Sequence, residues 1–154
     1  MPAEWFLPEK AQRILLRAKI KPGSIIHLFC NFINPPHNKF VVVTHIDHHE
    51  DELLVFFINS AISPFMAKDP NLVACQISLT KIRYPFLDHD SFLNCSKVID
   101  SIDIDTIIDH LLKTPKDLKG VLLKEESSKV VQAVSIAQTI SEYDRELIIK
   151  SIGV

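Results

Sequence analysis

The sequence predicts an α+β fold, on three observations. Runs of β-branched and aromatic residues crowd into residues 24–98, at the two-residue spacing of a strand or in short solid apolar blocks. After residue 103 the apolar period changes to that of a helix. The helices therefore follow the strands instead of alternating with them, which argues against a parallel α/β sheet. A chain of 154 residues is expected to form one domain over residues 1–154. Its expected parts are an N-terminal helix in 1–21, a strand-rich part in 24–98 and a helical part in 103–152.

Each element has a local reason. Pro8 can open a helix, since its missing N–H costs nothing there. Glu9 to Lys19 follow with Ile14, Leu15 and Ala18 on one face, and Lys21-Pro22-Gly23 ends the run. Ser24 to Phe32 is a strand whose two alternating sets are both largely apolar, so burial on both faces is expected. Asn34 to Asn38 is a loop by composition. Phe40 to Ile46 and Leu53 to Ile58 are expected to pair as a hairpin, with His45 to Glu52 as a long polar tip. Ser63 to Pro70 reads as loop, Leu72 to Thr80 as a fourth strand and Phe92 to Val98 as a fifth. Ile104, Ile107, Ile108, Leu111 and Leu112 lie on one helical face, with Asp103 at the N-cap and Pro115 just past the end. Val121 to Leu123 reads as one more short strand. Val130, Val131, Val134, Ala137 and Ile140 predict a helix starting near Ser127 and covering 128–140. Ser141 to Ile152 predict a last helix, stopped by Gly153. Ile26, Leu28, Val42, Phe56 and Ile77 are the expected core.

Composition excludes several functions. The chain is 47% hydrophobic and 23% charged with a net charge of −2, so neither wholesale disorder nor a strongly basic nucleic-acid binder fits. Gly23, Gly120 and Gly153 are the only glycines. A Walker phosphate loop, a GxGxxG turn and a GxSxG nucleophile elbow all need clustered glycines, so all three are excluded. Cys30, Cys75 and Cys95 form no CxxC pair, which removes a zinc ribbon and a disulfide framework and leaves core cysteines in a reducing cytosol. The N-terminal apolar stretch Trp5-Phe6-Leu7 is too short for a signal peptide. The longest apolar run, Leu53 to Ile58, is far short of the roughly 20 residues of a membrane helix. A soluble cytoplasmic protein without membrane contact is expected.

Three polar clusters invite chemistry. His45-Ile46-Asp47-His48-His49-Glu50-Asp51-Glu52 has the donor types of a zinc or manganese site. It resembles the strand ending of DHH phosphoesterases, but Asp47 is the first aspartate of the chain, so the upstream ligands of a two-metal site are missing. A solvated hairpin tip is the simpler expectation, and no metal is expected. Phe86-Leu87-Asp88-His89-Asp90-Ser91 can set an acid and a base beside a cleft, or serve as a loop that bonds its own backbone. Residues 1–21 carry five basic and two acidic groups, whereas 88–109 carry six aspartates and one lysine. Such a chain can hold RNA at its basic pole through Arg13, Arg17 and Lys21. Two solvated faces are the plainer reading. His27 and Cys30 point to opposite faces of one strand and cannot pair as base and nucleophile.

Five segments in order resemble one family. Lys21-Pro22-Gly23-Ser24-Ile25-Ile26 resembles the "GDIV" opening strand of MazF/PemK/Kid-type toxins, and Asn38-Lys39-Phe40-Val41-Val42-Val43-Thr44 their "RPVVVLS" strand. Leu54 to Ser60 resembles the strand ending in "TS", and Ser91 to Val98 the late "SYVDCS" strand. Lys119-Gly120-Val121-Leu122 and the helix after it resemble the closing segment. The resemblance spans about residues 21–140. It implies a small SH3-like antiparallel β-barrel with appended helices, usually a homodimer, that cleaves single-stranded RNA without metal or cofactor and is held inactive by an antitoxin protein. The ribose 2′-OH attacks the adjacent phosphate, which needs a base, an acid and a cation near the phosphorane. The family's arginine falls on Lys39 and its Thr-Ser pair on Asn59-Ser60. Lysine keeps the charge without the bidentate fork, and neighbouring His37 can supply a base. The expected catalytic set is Lys39, Ser60 and His37. The alternative is the same barrel as a non-catalytic module that binds a protein, and a weaker third is a metal hydrolase on His45, His48 and His49. The distinguishing feature is whether Lys39 and Ser60 share a groove with a histidine.

Overall fold

The computed structural model describes residues 7–153. Trp5, Phe6 and Glu4, which enter the expectations for the N-terminus, lie outside them. Helix α1 (Glu9–Lys19) leads into strands β1 (Ser24–Cys30), β2 (His37–Asp47) and β3 (Glu52–Asn59). Two short helices, α2 (Pro64–Ala67) and α3 (Pro70–Ala74), precede β4 (Gln76–Leu79) and β5 (Ser91–Asn94). Helix α4 (Ile104–Lys113), β6 (Leu118–Val121), α5 (Lys124–Ile136) and α6 (Glu142–Ile152) complete the chain. One six-stranded sheet runs in the order β4-β5-β3-β2-β1-β6, with every neighbouring pair antiparallel. It is a curled half-barrel whose end strands, β4 and β6, do not pair with each other. The α+β class is thus as expected, and no described helix is long and apolar enough to cross a membrane.

Both faces of the sheet are covered, as the doubly apolar first strand requires. Ile25, Val42, Phe56 and Ile77 point to a core closed by Val130, Val134, Ile148 and Ile152 of α5 and α6. Ile26, Leu28, Val41 and Val55 point the other way, onto Ile104, Ile107, Ile108 and Leu111 of α4. All five residues expected in the core are buried, but they divide between two cores. Cys30, Cys75 and Cys95 are buried free thiols, and burial pushes each thiol pKa up. Gly23 pins the start of β1 at φ +95°, a conformation that disfavours a side chain. Its N–H donates to the Val43 carbonyl and its carbonyl accepts from the Leu122 N–H.

Several boundaries depart from expectation. Residues 72–74 are helical, not the start of a strand. Ser63-Pro64 and Asp69-Pro70 each place a capping side chain before a proline at the first helical position. The Ser63 hydroxyl accepts from the Met66 N–H, and the Asp69 carboxylate from the Asn71 and Leu72 N–H groups. Strand β1 stops at Cys30, two residues early, and β2 begins at His37, inside the expected loop. The short strand before α5 is 118–121, not 121–123. Helix α5 begins at Lys124 and ends at Ile136, four residues before Ile140. There the Asn71 amide donates to the Ile136 carbonyl and accepts from the Gln138 N–H, ending the helix from outside it. Pro8 is the N-cap of α1, and Ile14 and Leu15, expected on its apolar face, are exposed.

Candidate active site

Strand register assembles a cleft on the face that carries α5 and α6, at the end where Phe29, Asn38 and Ser60 are exposed. His27 stands opposite Phe40 and Phe40 opposite Ile58, so the three make one row across the sheet. Phe29 stands opposite Asn38, and Ser60 follows the last residue of β3, which sets a second row beside the first. The His27 ring stacks on Phe40 at 4.5 Å, and Phe40 packs on Phe86 at 5.6 Å. Leu87, Asp88, His89 and Ser91 form the facing wall, and the space enclosed is about 230 Å³.

That wall is tied down locally and at long range. Asp90 accepts from the Lys81 N–H, and the Ser91 hydroxyl donates to the His89 carbonyl. The 86–91 segment therefore both borders a cleft and bonds its own backbone. Further back, Arg83 forms a bidentate pair with Glu126, Nε to Oε1 at 2.6 Å and Nη2 to Oε2 at 2.9 Å. Glu126 is 2% exposed, and the Arg83 guanidinium holds its carboxyl below the usual range. The Tyr84 hydroxyl accepts from the Leu123 N–H, and burial pushes its pKa up to about 12. Arg83→Leu strands a buried carboxylate. The depressed Glu126 pKa contributes stability that is present above the ordinary carboxylate range and is lost as pH falls through the folded value. The variant is therefore expected to melt several degrees below wild type near pH 7, with the deficit shrinking towards about pH 4, where the stranded group takes up a proton. Thermal melts at the two pH values check this; an equal deficit at both refutes it.

Two imidazoles, His27 and His89, line the cleft from its own face, and His37, on the same face of β2 as Lys39, borders it. His27 Nδ1 lies 3.9 Å from Asp117 Oδ1. Asp117 is buried, accepts from His110 Nε2 at 2.7 Å and lies 3.7 Å from Lys119 Nζ. Burial lowers the His27 pKa and the Asp117 charge opposes it in part, so the ring is neutral at neutral pH. His37 Nδ1 is 2.6 Å from the Pro35 carbonyl and His89 Nδ1 is 3.1 Å from the Asp90 carbonyl. A carbonyl only accepts, so each Nδ1 carries the proton, and a neutral ring then offers Nε2 as an acceptor.

The expected catalytic set is divided. His37, Lys39 and Ser60 all border the cleft. Alternation along β2, however, sends the Lys39 side chain, and that of His37 with it, to the opposite face, where Lys39 Nζ donates to Asn59 Oδ1 at 2.5 Å and lies 5.3 Å from the centre of the Phe57 ring. Burial there lowers its pKa. The expected RNA-binding residues are divided as well. Arg13 is paired with Asp105 and Asp109, and Arg17 with Asp105 and Asp51. The basic and acidic poles of the sequence thus meet, joining α1 to α4. Lys21 remains exposed, and among the described residues its side chain has no acidic partner.

The 45–52 cluster is a hairpin tip. Asp47 accepts from the His49 and Glu50 N–H groups, while His48 and His49 are exposed. His45 turns inward, with Nδ1 2.7 Å from Ser151 Oγ and Nε2 3.1 Å from Glu52 Oε1, which ties the tip to α6. Among the described residues no three His, Cys, Asp or Glu side chains are grouped to hold a metal ion. His48→Ala with His49→Ala is expected to change stability by less than about 0.5 kcal/mol, as at ordinary surface sites. Denaturant titration tests this, and zinc retained stoichiometrically through purification refutes it.

Comparison with family models, with curated proteins and with solved structures finds no match to this chain. Sequence reasoning weighed His27 only as a partner of Cys30, and it did not single out His110 or Asp117. His27 carried a weak signal, as a titratable residue inside an apolar strand. Asp117 carried none, because nothing local connects it to His27.

Proposed function

We propose that this chain cleaves single-stranded RNA without a metal, by attack of the ribose 2′-OH on the adjacent phosphate. One observation carries the reading: His27 and His89 share a cleft with the hydroxyls of Ser60 and Ser91. The reaction needs a base for the 2′-OH and an acid for the leaving 5′-oxygen, and a pair of imidazoles of suitable pKa supplies both. His27 is the base, neutral through burial, with the Asp117 carboxylate 3.9 Å from its Nδ1. His89, on the facing wall, is the acid when protonated. Ser60 and Asn38 donate to the phosphorane oxygens, and the imidazolium supplies the cation that Lys39 does not bring to this face.

The family resemblance adds an SH3-like barrel as the parent of the curled sheet, a homodimer as the assembly, an antitoxin protein as the partner and the cytoplasm as the location. The test is incubation of purified protein with a ribo-oligonucleotide and its all-deoxy analogue in the presence of a chelator. Products ending in a 2′,3′-cyclic phosphate, with the deoxy strand intact, are expected. Intact RNA overturns the reading. A second reading rests on the Lys39–Asn59 hydrogen bond. With the family's phosphate-binding position turned to the other face, the sheet serves as a non-catalytic module for a protein partner. Stable capture of such a partner by a protein that leaves RNA intact supports it.

A further inference from the structure

The outer edge of β6 is unpaired, since the sheet ends there. Two hollows of about 370 and 730 Å³ flank it and meet at Lys21 and Val121. Lys19 and Lys119 line the smaller hollow and Lys124 the larger, and no aspartate or glutamate lines either. In a chain of net charge −2, this concentration of one sign is local. Lysines alone are the ordinary guard of an exposed strand edge. Here two further facts point to a ligand. Among the described residues the Lys21 and Lys124 side chains have no acidic partner, whereas Arg13 and Arg17 are neutralised on α4. The strip also ends beside the histidine cleft: Lys119 Nζ is 3.7 Å from Asp117 Oδ1, and that carboxylate is 3.9 Å from His27 Nδ1.

We infer that the β6 edge is the track on which the backbone of a single-stranded RNA approaches the cleft, with phosphates over Lys124 and Lys21, whose side chains have no acidic partner among the described residues. The inference rests on the RNA-cleaving reading of that cleft. The closeness of the strip's end to His27 favours a nucleic-acid backbone over an acidic peptide, whose pairing along β6 would need no basic strip beside the cleft. Positive grooves of this kind bind single strands through their phosphates, with a strong dependence on salt.

The experiment is fluorescence anisotropy of a labelled all-deoxy oligonucleotide, which binds without being cleaved, over a range of salt. Lys21→Glu with Lys124→Glu is expected to weaken binding at least about tenfold, and to reduce the salt slope by roughly 0.7 per lysine removed. Lys68→Glu, at the opposite end of the sheet, is expected to leave both near wild type. If the double variant binds like wild type, or no worse than Lys68→Glu, the track is refuted. Binding of a poly-glutamate peptide by the strip without binding of the oligonucleotide also refutes it, and assigns the strip to an acidic protein segment. Cleavage is scored separately. A protein that binds through the strip but leaves RNA intact refutes the catalytic reading alone, and one that cleaves long RNA equally with and without the two lysines refutes the track alone.

Discussion

Replacing His27 with glutamine is expected to slow RNA cleavage by about 10²–10⁴-fold, the usual contribution of a positioned general base. Glutamine is polar and near in volume, and it keeps the contact with Phe40 while losing the titratable nitrogen. The fold has other anchors at this point, since neighbouring Ile26 and Leu28 remain buried in the second core. Thermal melting should therefore change little. The pH profile supplies the signature. His27 is shifted down by burial, so the wild-type rate should rise with pH through an inflection below the ordinary 6.5 or so of histidine, and the variant should lose that inflection. Asp117→Asn is expected to slow cleavage less and to move the inflection further down, because the charge that partly opposes the burial shift is gone. Lys39→Met should cleave within a few-fold of wild type, because its ammonium sits on the other face. A His27→Gln protein that cleaves at the wild-type rate, or a Lys39→Met protein that is inactive, overturns the assignment of roles.

Phe56→Ala is expected to be the most destabilising single change in the chain's interior. Phe56 is 0% exposed, in the middle of β3, opposite Val42 and within the core that α5 and α6 close. Truncating a buried phenylalanine removes its transfer free energy and leaves a cavity, at a cost of roughly 3–5 kcal/mol. Against a typical domain stability of about 5–15 kcal/mol, that is a large part of the whole. The melting temperature should fall by on the order of 10 °C for a chain of this size. Urea titration gives the free energy directly, and a loss below about 1 kcal/mol would show that the site is not enclosed. The same core backs the cleft through Phe40 and Ile58, so the variant should also bind oligonucleotide less tightly at temperatures near its transition.

The elements differ in how far they could be read. Helix α4 was legible almost to the residue, from its apolar spacing, Asp103 and Pro115. Helix α6 was legible from Ser141, whose hydroxyl caps the Asp144 N–H. The two Pro-initiated turns at 64 and 70 carried their signal, yet the apolar stretch after them suggested a strand too early. The 86–91 segment was legible as a cleft border or as a loop that bonds its own backbone, and it is both, although which strands face it was not legible.

By itself, then, the sequence determined the α+β class, the β2–β3 hairpin, the doubly buried first strand and the exclusion of glycine-loop chemistry. Each follows from a period, a cap or a composition that acts within a few residues. The tertiary structure alone decided which face of β2 carries the cleft, and so turned the Lys39 side chain away from it and set His27 beside it. It also decided that Arg13 meets Asp109, ninety-six positions away, and that Asn71 ends α5 from sixty-five positions away. Strand order β4-β5-β3-β2-β1-β6 brings such residues together. No local period encodes that order, because it is set by which apolar faces bury each other once the whole chain has closed.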